Sequence, residues 1–142
     1  MKIYRHLIEI PLRDKMGAVA IGNFDGVHQG HRTVIGEAGD FAKMNKIPWV
    51  VLTFEPHPRQ FFQNSSEPFR LTPFRTKASF IRDLGVDIMV VLRFDQRLCQ
   101  CDAKTFIQNV LIEGLSACHV VTGYDFRFGH NREGDCSTLL NF

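Results

Sequence analysis

A short apolar run, Gly17-Ala18-Val19-Ala20-Ile21-Gly22, leads straight into Asn23-Phe24-Asp25-Gly26-Val27-His28-Gln29-Gly30-His31. The run reads as a buried strand ending in glycine. Beyond the loop, Val34, Ile35, Ala38, Phe41 and Ala42 fall on one face of a helix. A strand buried on both faces, followed directly by a helix, calls for a crossover to a parallel neighbour. This arrangement constrains the fold more than any other feature of the chain.

The same alternation recurs downstream. Pro48 opens the apolar, β-branched run Trp49-Val50-Val51-Leu52-Thr53-Phe54. A long irregular segment from Glu55 to Thr72 carries Pro56, Pro58 and Pro68, which interrupt regular structure. A helix is expected from Pro73, as a first-turn residue, to about Leu84, with Gly85 as its stop. Val86–Leu92 is expected as the third strand and Ala117–Gly123 as the fourth. Between them Asp102 is a candidate N-cap for a helix whose stripe is Ala103, Phe106, Ile107, Val110 and Leu111, ending near Gly114. A polar loop runs from Tyr124 to Gly134, and Asp135 caps one further short helix. The expected fold is α/β, a Rossmann-like parallel sheet with helices on both faces. Ligands bind outside the carboxyl ends of the strands in such sheets. The loops 22–31, 55–72 and 124–134 all follow strands, so they are expected to share one mouth.

The 142 residues suit one domain with one core. A net charge of only +2 argues against a dedicated nucleic-acid surface. No apolar run approaches the roughly 20 residues needed to span a bilayer. Met1-Lys2-Ile3-Tyr4-Arg5-His6 has no apolar secretory core, and the expected location is the cytoplasm. Cys99, Cys101, Cys118 and Cys136 match neither zinc nor redox spacing and read as reduced thiols, and no metal-ligating set is expected. Thirteen phenylalanines is a high count, and Phe24, Phe54, Phe61, Phe62, Phe126 and Phe128 read as loop aromatics. Core packing is the plain account of any one of them; a pocket for a flat ligand is the sharper one.

The loop 22–31 carries the chemistry. Gly22, Gly26 and Gly30 permit close approach of backbone to ligand. The following helix start offers unpaired N–H groups and the positive end of a dipole. His28 and His31, spaced H-x-G-H, can donate hydrogen bonds to phosphate oxygens. The pattern is neither a Walker A loop nor G-x-G-x-x-G. A nucleophilic serine motif is also missing. Asp95 and Asp102 read as turn and cap residues, and His119 as a structural residue within a strand.

The string around H-x-G-H is similar to the signature of the nucleotidylyltransferase superfamily. Leu52-Thr53-Phe54-Glu55-Pro56-His57-Pro58-Arg59, Phe69-Arg70-Leu71-Thr72, and Thr122-Gly123-Tyr124-Asp125-Phe126-Arg127-Phe128-Gly129 with Arg132, Gly134 and Asp135 resemble segments of bacterial FAD synthetases, in that family's order. The chain thus resembles, over about residues 15–142, the FMN adenylyltransferase domain of bifunctional riboflavin kinase/FAD synthetases. The resemblance implies transfer of AMP from ATP to FMN, giving FAD and pyrophosphate, with Mg2+ carried by ATP. It implies His28 and His31 as the catalytic pair. It places Gly22, Asn23, Phe24, Asp25, Gly26, Gly30, Asp125, Phe126 and Arg127 on the ATP side, with Arg132 a further phosphate contact. Phe54, Pro56, Pro58 and Phe128 would line the flavin side. His57 lies between two prolines and is either a flavin contact or a loop histidine in extended backbone.

The chain departs from the family pattern in two respects. A serine/threonine-rich S-S-T-x-[IV]-R segment is not found, and Cys136-Ser137-Thr138-Leu139 does not replace it. No riboflavin kinase domain, and no kinase activity, is expected of these residues. The expectation is a C-terminally incomplete domain that is marginal in stability, self-associates through an exposed sheet edge, or is a fragment of a longer protein. The rival to an active enzyme is a truncated paralogue or fragment that binds nucleotide or flavin without turnover. Another rival is a nucleotidylyltransferase for a different phosphate acceptor, which the F-E-P-H-P and D-F-R-F-G strings disfavour.

Overall fold

A computed structural model describes residues 1–25, 29–55, 73–123 and 134. The described strands form one five-stranded sheet: β1 (Lys2–Tyr4), β2 (Ala18–Ile21), β3 (Trp49–Glu55), β4 (Ile88–Arg93) and β5 (His119–Thr122), in the spatial order β1-β4-β3-β2-β5. Every pairing is parallel. The helices are α1 (Gln29–Asn45), α2 (Phe74–Asp83), α3 (Gln96–Cys99) and α4 (Ala103–Phe106), and α4 runs on into a π-helical segment, Ile107–Gly114. Two 3-10 turns, Leu7–Glu9 and Leu12–Asp14, link β1 to β2.

Side chains alternate across each strand, so the sheet feeds two cores. Val19, Ile21, Val50, Leu52, Phe54, Ile88 and Val90 face the α4–π segment and its Phe106, Val110 and Leu111. Ala18, Ala20, Val51, Met89 and Val91 face Ile35, Ala38 and Ala42 of α1 and Ile81 of α2. Alanines on β2 leave room for α1 to lie close. Gly39 presses on the ring of Trp49, whose indole N–H donates to the Ile35 carbonyl at 3.0 Å.

The fourth expected strand shortens to His119–Thr122 and the short helix α3 was not expected, and four further boundaries need correction. β1 was not expected: at three residues it is too short for a readable pattern, and it is held by its register against Ile88–Val90. Pro73 is the N-cap of α2 rather than part of its first turn, because its ψ of 145° is extended. β4 begins at Ile88, not Val86, since Asp87 is spent on closing the strand ends, donating from its N–H to the Trp49 carbonyl and accepting the Trp49 N–H on its carboxylate. The helix after Asp102 loosens into π geometry, with Leu115 N–H bonded to the Val110 carbonyl at 2.9 Å, five residues back. Its expected stripe is nonetheless the buried one. The helix stop at Gly85 is explained by its φ of 103°, which favours glycine.

From β2 the chain moves to β3 on one side, while β5 occupies the other. That reversal is the topological switch point. Ile21 at the end of β2 is in register with both Leu52 and Thr122, so the segments leaving β2, β3 and β5 depart from three adjacent strand ends.

Candidate functional site

The loop leaving β2 is anchored from below. Gly22 N–H continues the sheet pattern to the Leu52 carbonyl at 3.1 Å. Phe24 then turns inward and is buried at 4% exposure. It does so in the left-handed region, at a φ of 49°, an uncommon conformation for a bulky residue and a sign of local strain. A Cβ on Gly22 would stand 2.9 Å from the Phe24 ring, so glycine is what lets the ring fold back beneath the loop.

His31 lies in the first turn of α1. Its imidazole meets the Phe24 ring edge to face, with centroids 5.5 Å apart and planes at 86°. The first turn of α1 carries no acidic residue, so the positive end of its dipole is not neutralised by its own side chains. Gly30 is exposed, with open space where a Cβ would be. Asn23 is half-buried, and its side-chain oxygen is buried without a hydrogen-bond partner among the described residues. Asp25 is half-buried at the end of the described part of this loop. The structure therefore brings Gly22, Asn23, Phe24, Asp25, Gly30 and His31 to the carboxyl end of β2. Gly26, His28, Pro56, His57, Pro58, Asp125, Phe126, Arg127, Phe128 and Arg132 lie outside the described residues.

Phe54 belongs to β3 and not to a loop. It is 5% exposed and packs edge to face on Phe94 at 6.5 Å and tilted on Phe106 at 6.2 Å. Core packing accounts for it in this structure. His119 stacks flat on Phe41, with centroids 4.0 Å apart. Asp95 and Asp102 are N-caps, accepting from Leu98 N–H at 3.0 Å and Thr105 N–H at 2.7 Å. Among the described residues no group of three or more His, Cys, Asp or Glu is placed to hold a metal ion. None of the described helices is long and apolar enough to cross a membrane.

A family model described as FAD synthetase matches residues 11–142. The chain belongs to the FAD synthetase family. Its relatives include the bifunctional riboflavin kinase/FMN adenylyltransferase of Buchnera aphidicola subsp. Schizaphis graminum, 37% identical over 139 residues, which are 98% of this chain and 45% of that protein. The protein of the same name from Escherichia coli K12 is 38% identical over 136 residues, 95% of this chain and 44% of that one. The chain thus spans less than half the length of these relatives. The crystal structure of a macrolide-efflux protein from Streptococcus pneumoniae superposes with a TM-score of 0.77 at 23% identity, covering 98% of this chain and 45% of that one. At that identity the likeness is one of fold.

One residue at this candidate site was missed in the sequence. Lys77 of α2 is 5% exposed, and its ammonium lies under the loop. It donates to the Asn23 carbonyl and to Thr53 Oγ1, each at 3.1 Å, and pairs with Glu55 Oε1 at 2.6 Å. The fully buried Thr53 hydroxyl donates in turn to the Asn23 carbonyl at 3.1 Å. The signal was available: Phe74, Lys77, Ala78 and Ile81 share one helical face, and a lysine inside an apolar stripe requires a partner.

Proposed function

We propose that residues 1–142 act as an FMN adenylyltransferase domain in the cytoplasm, moving AMP from MgATP to FMN. In this reaction an FMN phosphate oxygen forms a bond to the α-phosphorus of ATP. The bond from that phosphorus to the α–β bridging oxygen breaks, and its electron pair leaves with pyrophosphate. The nucleophile is already an anion, so no activating base is required. The demand on the protein is to bring two anions into line and to stabilise charge on the phosphates.

The observation that carries this reading is His31, held in the first turn of α1 against Phe24 beside the switch point of a parallel sheet. In the proposal His31 and His28 donate hydrogen bonds to the ATP phosphates, with the helix dipole adding positive potential. Gly22, Asn23, Phe24, Asp25, Gly26 and Gly30 form the nucleotide loop. Asp125, Phe126 and Arg127 flank the nucleotide, with Arg132 a further phosphate contact. Pro56, His57, Pro58 and Phe128 form the flavin side, while Phe54, which the family resemblance also put there, packs in the core on Phe94 and Phe106. Magnesium arrives with ATP, and Asp25 and the buried Asn23 Oδ1 are oxygen ligands of the kind it takes. FMN adenylyltransferase is part of the name of the relatives at 37–38% identity, which supports the choice of acceptor.

The test is chromatographic detection of FAD from FMN and MgATP, on this chain and on its His28→Ala/His31→Ala variant. FAD from the parent, lost in the variant, is the expected result. Quenching of flavin fluorescence with no FAD from a folded parent would reject turnover and leave a binding role.

A further inference from the structure

The ammonium of Lys77 joins three elements of the fold. It reaches the loop after β2 at the Asn23 carbonyl, the end of β3 at Thr53 and Glu55, and the Phe54 carbonyl at 3.5 Å, all from α2. The Asn23 carbonyl receives two donors, the ammonium and the Thr53 hydroxyl. Glu55, 29% exposed, supplies the countercharge that lets a lysine be buried at this depth. An apolar side chain of the same length would satisfy the packing of α2 on the sheet, so the ammonium has a further task. The residue it holds is the one directly before Phe24, whose φ of 49° must be imposed from outside.

Building on the adenylyltransferase reading, we propose that Lys77 is a positioning residue for nucleotide binding: with Thr53 it clamps the Asn23 carbonyl, fixes Phe24 in its left-handed turn, and so sets the backstop against which His31 is oriented. Lys77 touches no substrate in this scheme. It acts on the nucleotide loop through Asn23 and Phe24, and because its bonds to Thr53, Phe54 and Glu55 also hold the end of β3, its effect on ATP is expected to be the larger and not the sole one. The link predicts a split between the two ligands that a general loss of stability would not produce.

The experiment compares the parent with Lys77→Met, Thr53→Val and Lys77→Met/Glu55→Gln, the last removing the countercharge together with the lysine. Hydrogen exchange at residues 23–25 in the ligand-free chain reads the loop without relying on any ligand. ATP and FMN affinities by titration calorimetry read the consequence. In Lys77→Met the expected results are at least about tenfold faster exchange at residues 23–25 with the middle of β3 and β4 protected as in the parent, and ATP affinity weakened by about tenfold, the loss expected of one misplaced hydrogen bond. FMN affinity should weaken less, by no more than about threefold. Thr53→Val should show the same pattern more weakly, and decides the matter if Lys77→Met fails to fold. Unchanged exchange at residues 23–25 in folded variants overturns the proposal, as does equal weakening for ATP and FMN. A parent that binds no ATP would instead reject the adenylyltransferase reading, and the nucleotide part of the proposal with it, while the exchange data still report whether Lys77 holds the loop.

Discussion

The edge-to-face contact between Phe24 and His31, 5.5 Å between centroids, ties a buried ring of the core to the first turn of the helix that follows the loop. The two residues carry different loads. Phe24 is almost wholly buried among Ala18, Ala20 and Ile35, whereas His31 is half-buried at the surface of the same cluster. Phe24→Ala is therefore expected to cost about 3–5 kcal/mol of stability, as for other buried phenylalanines. His31→Ala should cost less than about 1 kcal/mol yet abolish FAD formation. Urea denaturation alongside chromatographic assay of FAD separates the two. Similar destabilisation by both would mean that His31 is chiefly a packing residue.

Gly39 offers a test further along the sheet-facing side of α1. A methyl group there would sit 2.6 Å from Cε2 and Cζ2 of Trp49, and the Trp49 ring cannot retreat while its N–H is bound to the Ile35 carbonyl. Helix propensity alone would make Gly39→Ala stabilising by about 1 kcal/mol. Overpacking is expected to win, with a net loss of about 1–2 kcal/mol and a shift in Trp49 fluorescence. A gain in melting temperature with unchanged fluorescence would show that α1 can lift away from the sheet at little cost.

How far the sequence could be read depended on how locally each feature was specified. The central strands were legible because burial on both faces writes an unbroken apolar run, as in Val50-Val51-Leu52. The stripe of Ala103, Phe106, Ile107, Val110 and Leu111 was legible too, although the change to π geometry was not, since both forms bury the same face. β1 was missed because Lys2-Ile3-Tyr4 gains its strand character from β4, which lies more than 80 residues away in the chain. The motif placed Gly22 and His31 beside the switch point, where the structure also puts them. Lys77 escaped notice because its partners, Asn23, Thr53 and Glu55, come from two other segments of the chain. The inward turn of Phe24 was likewise set by burial and by the neighbouring Gly22, not by a local preference.

The start of the chain carries a pH-sensitive contact. The Tyr4 hydroxyl donates to the Asp14 carboxylate, and Lys2 pairs with the same carboxylate at 3.3 Å. The Tyr4 hydrogen bond, with help from Lys2, holds the Asp14 carboxyl below its ordinary value, while the same bond raises the Tyr4 phenol. The Asp14 contribution is thus present above the unfolded carboxyl value of about 4 and is lost as pH falls through the lower folded value. The Tyr4 contribution is present below the unfolded phenol value of about 10 and is lost as pH rises through the higher folded one. Tyr4→Phe should lower the melting temperature slightly at neutral pH and converge with the parent at both extremes. A constant offset from acid to alkali would assign the effect to packing instead.

Asp87 closes the amino-terminal ends of β3 and β4. Its carboxylate accepts the Trp49 N–H at 2.9 Å, its own N–H donates to the Trp49 carbonyl at 3.0 Å, and its carbonyl accepts from Lys2 N–H at 2.9 Å. The backbone bonds survive substitution by alanine or asparagine, so the side chain's share can be isolated. Asp87→Ala leaves the partly buried Trp49 N–H without its acceptor and is expected to cost about 1–3 kcal/mol. Asp87→Asn keeps an acceptor oxygen at the same reach and should recover about half of that loss, the remainder being the charge assistance. The strand ends at Trp49 lie at the opposite end of the sheet from Gly22 and His31, so neither variant should change ATP affinity. Denaturant melts and calorimetry on the two variants check both statements. A loss of ATP binding in Asp87→Asn at near-parental stability would show that the two ends of the sheet are coupled.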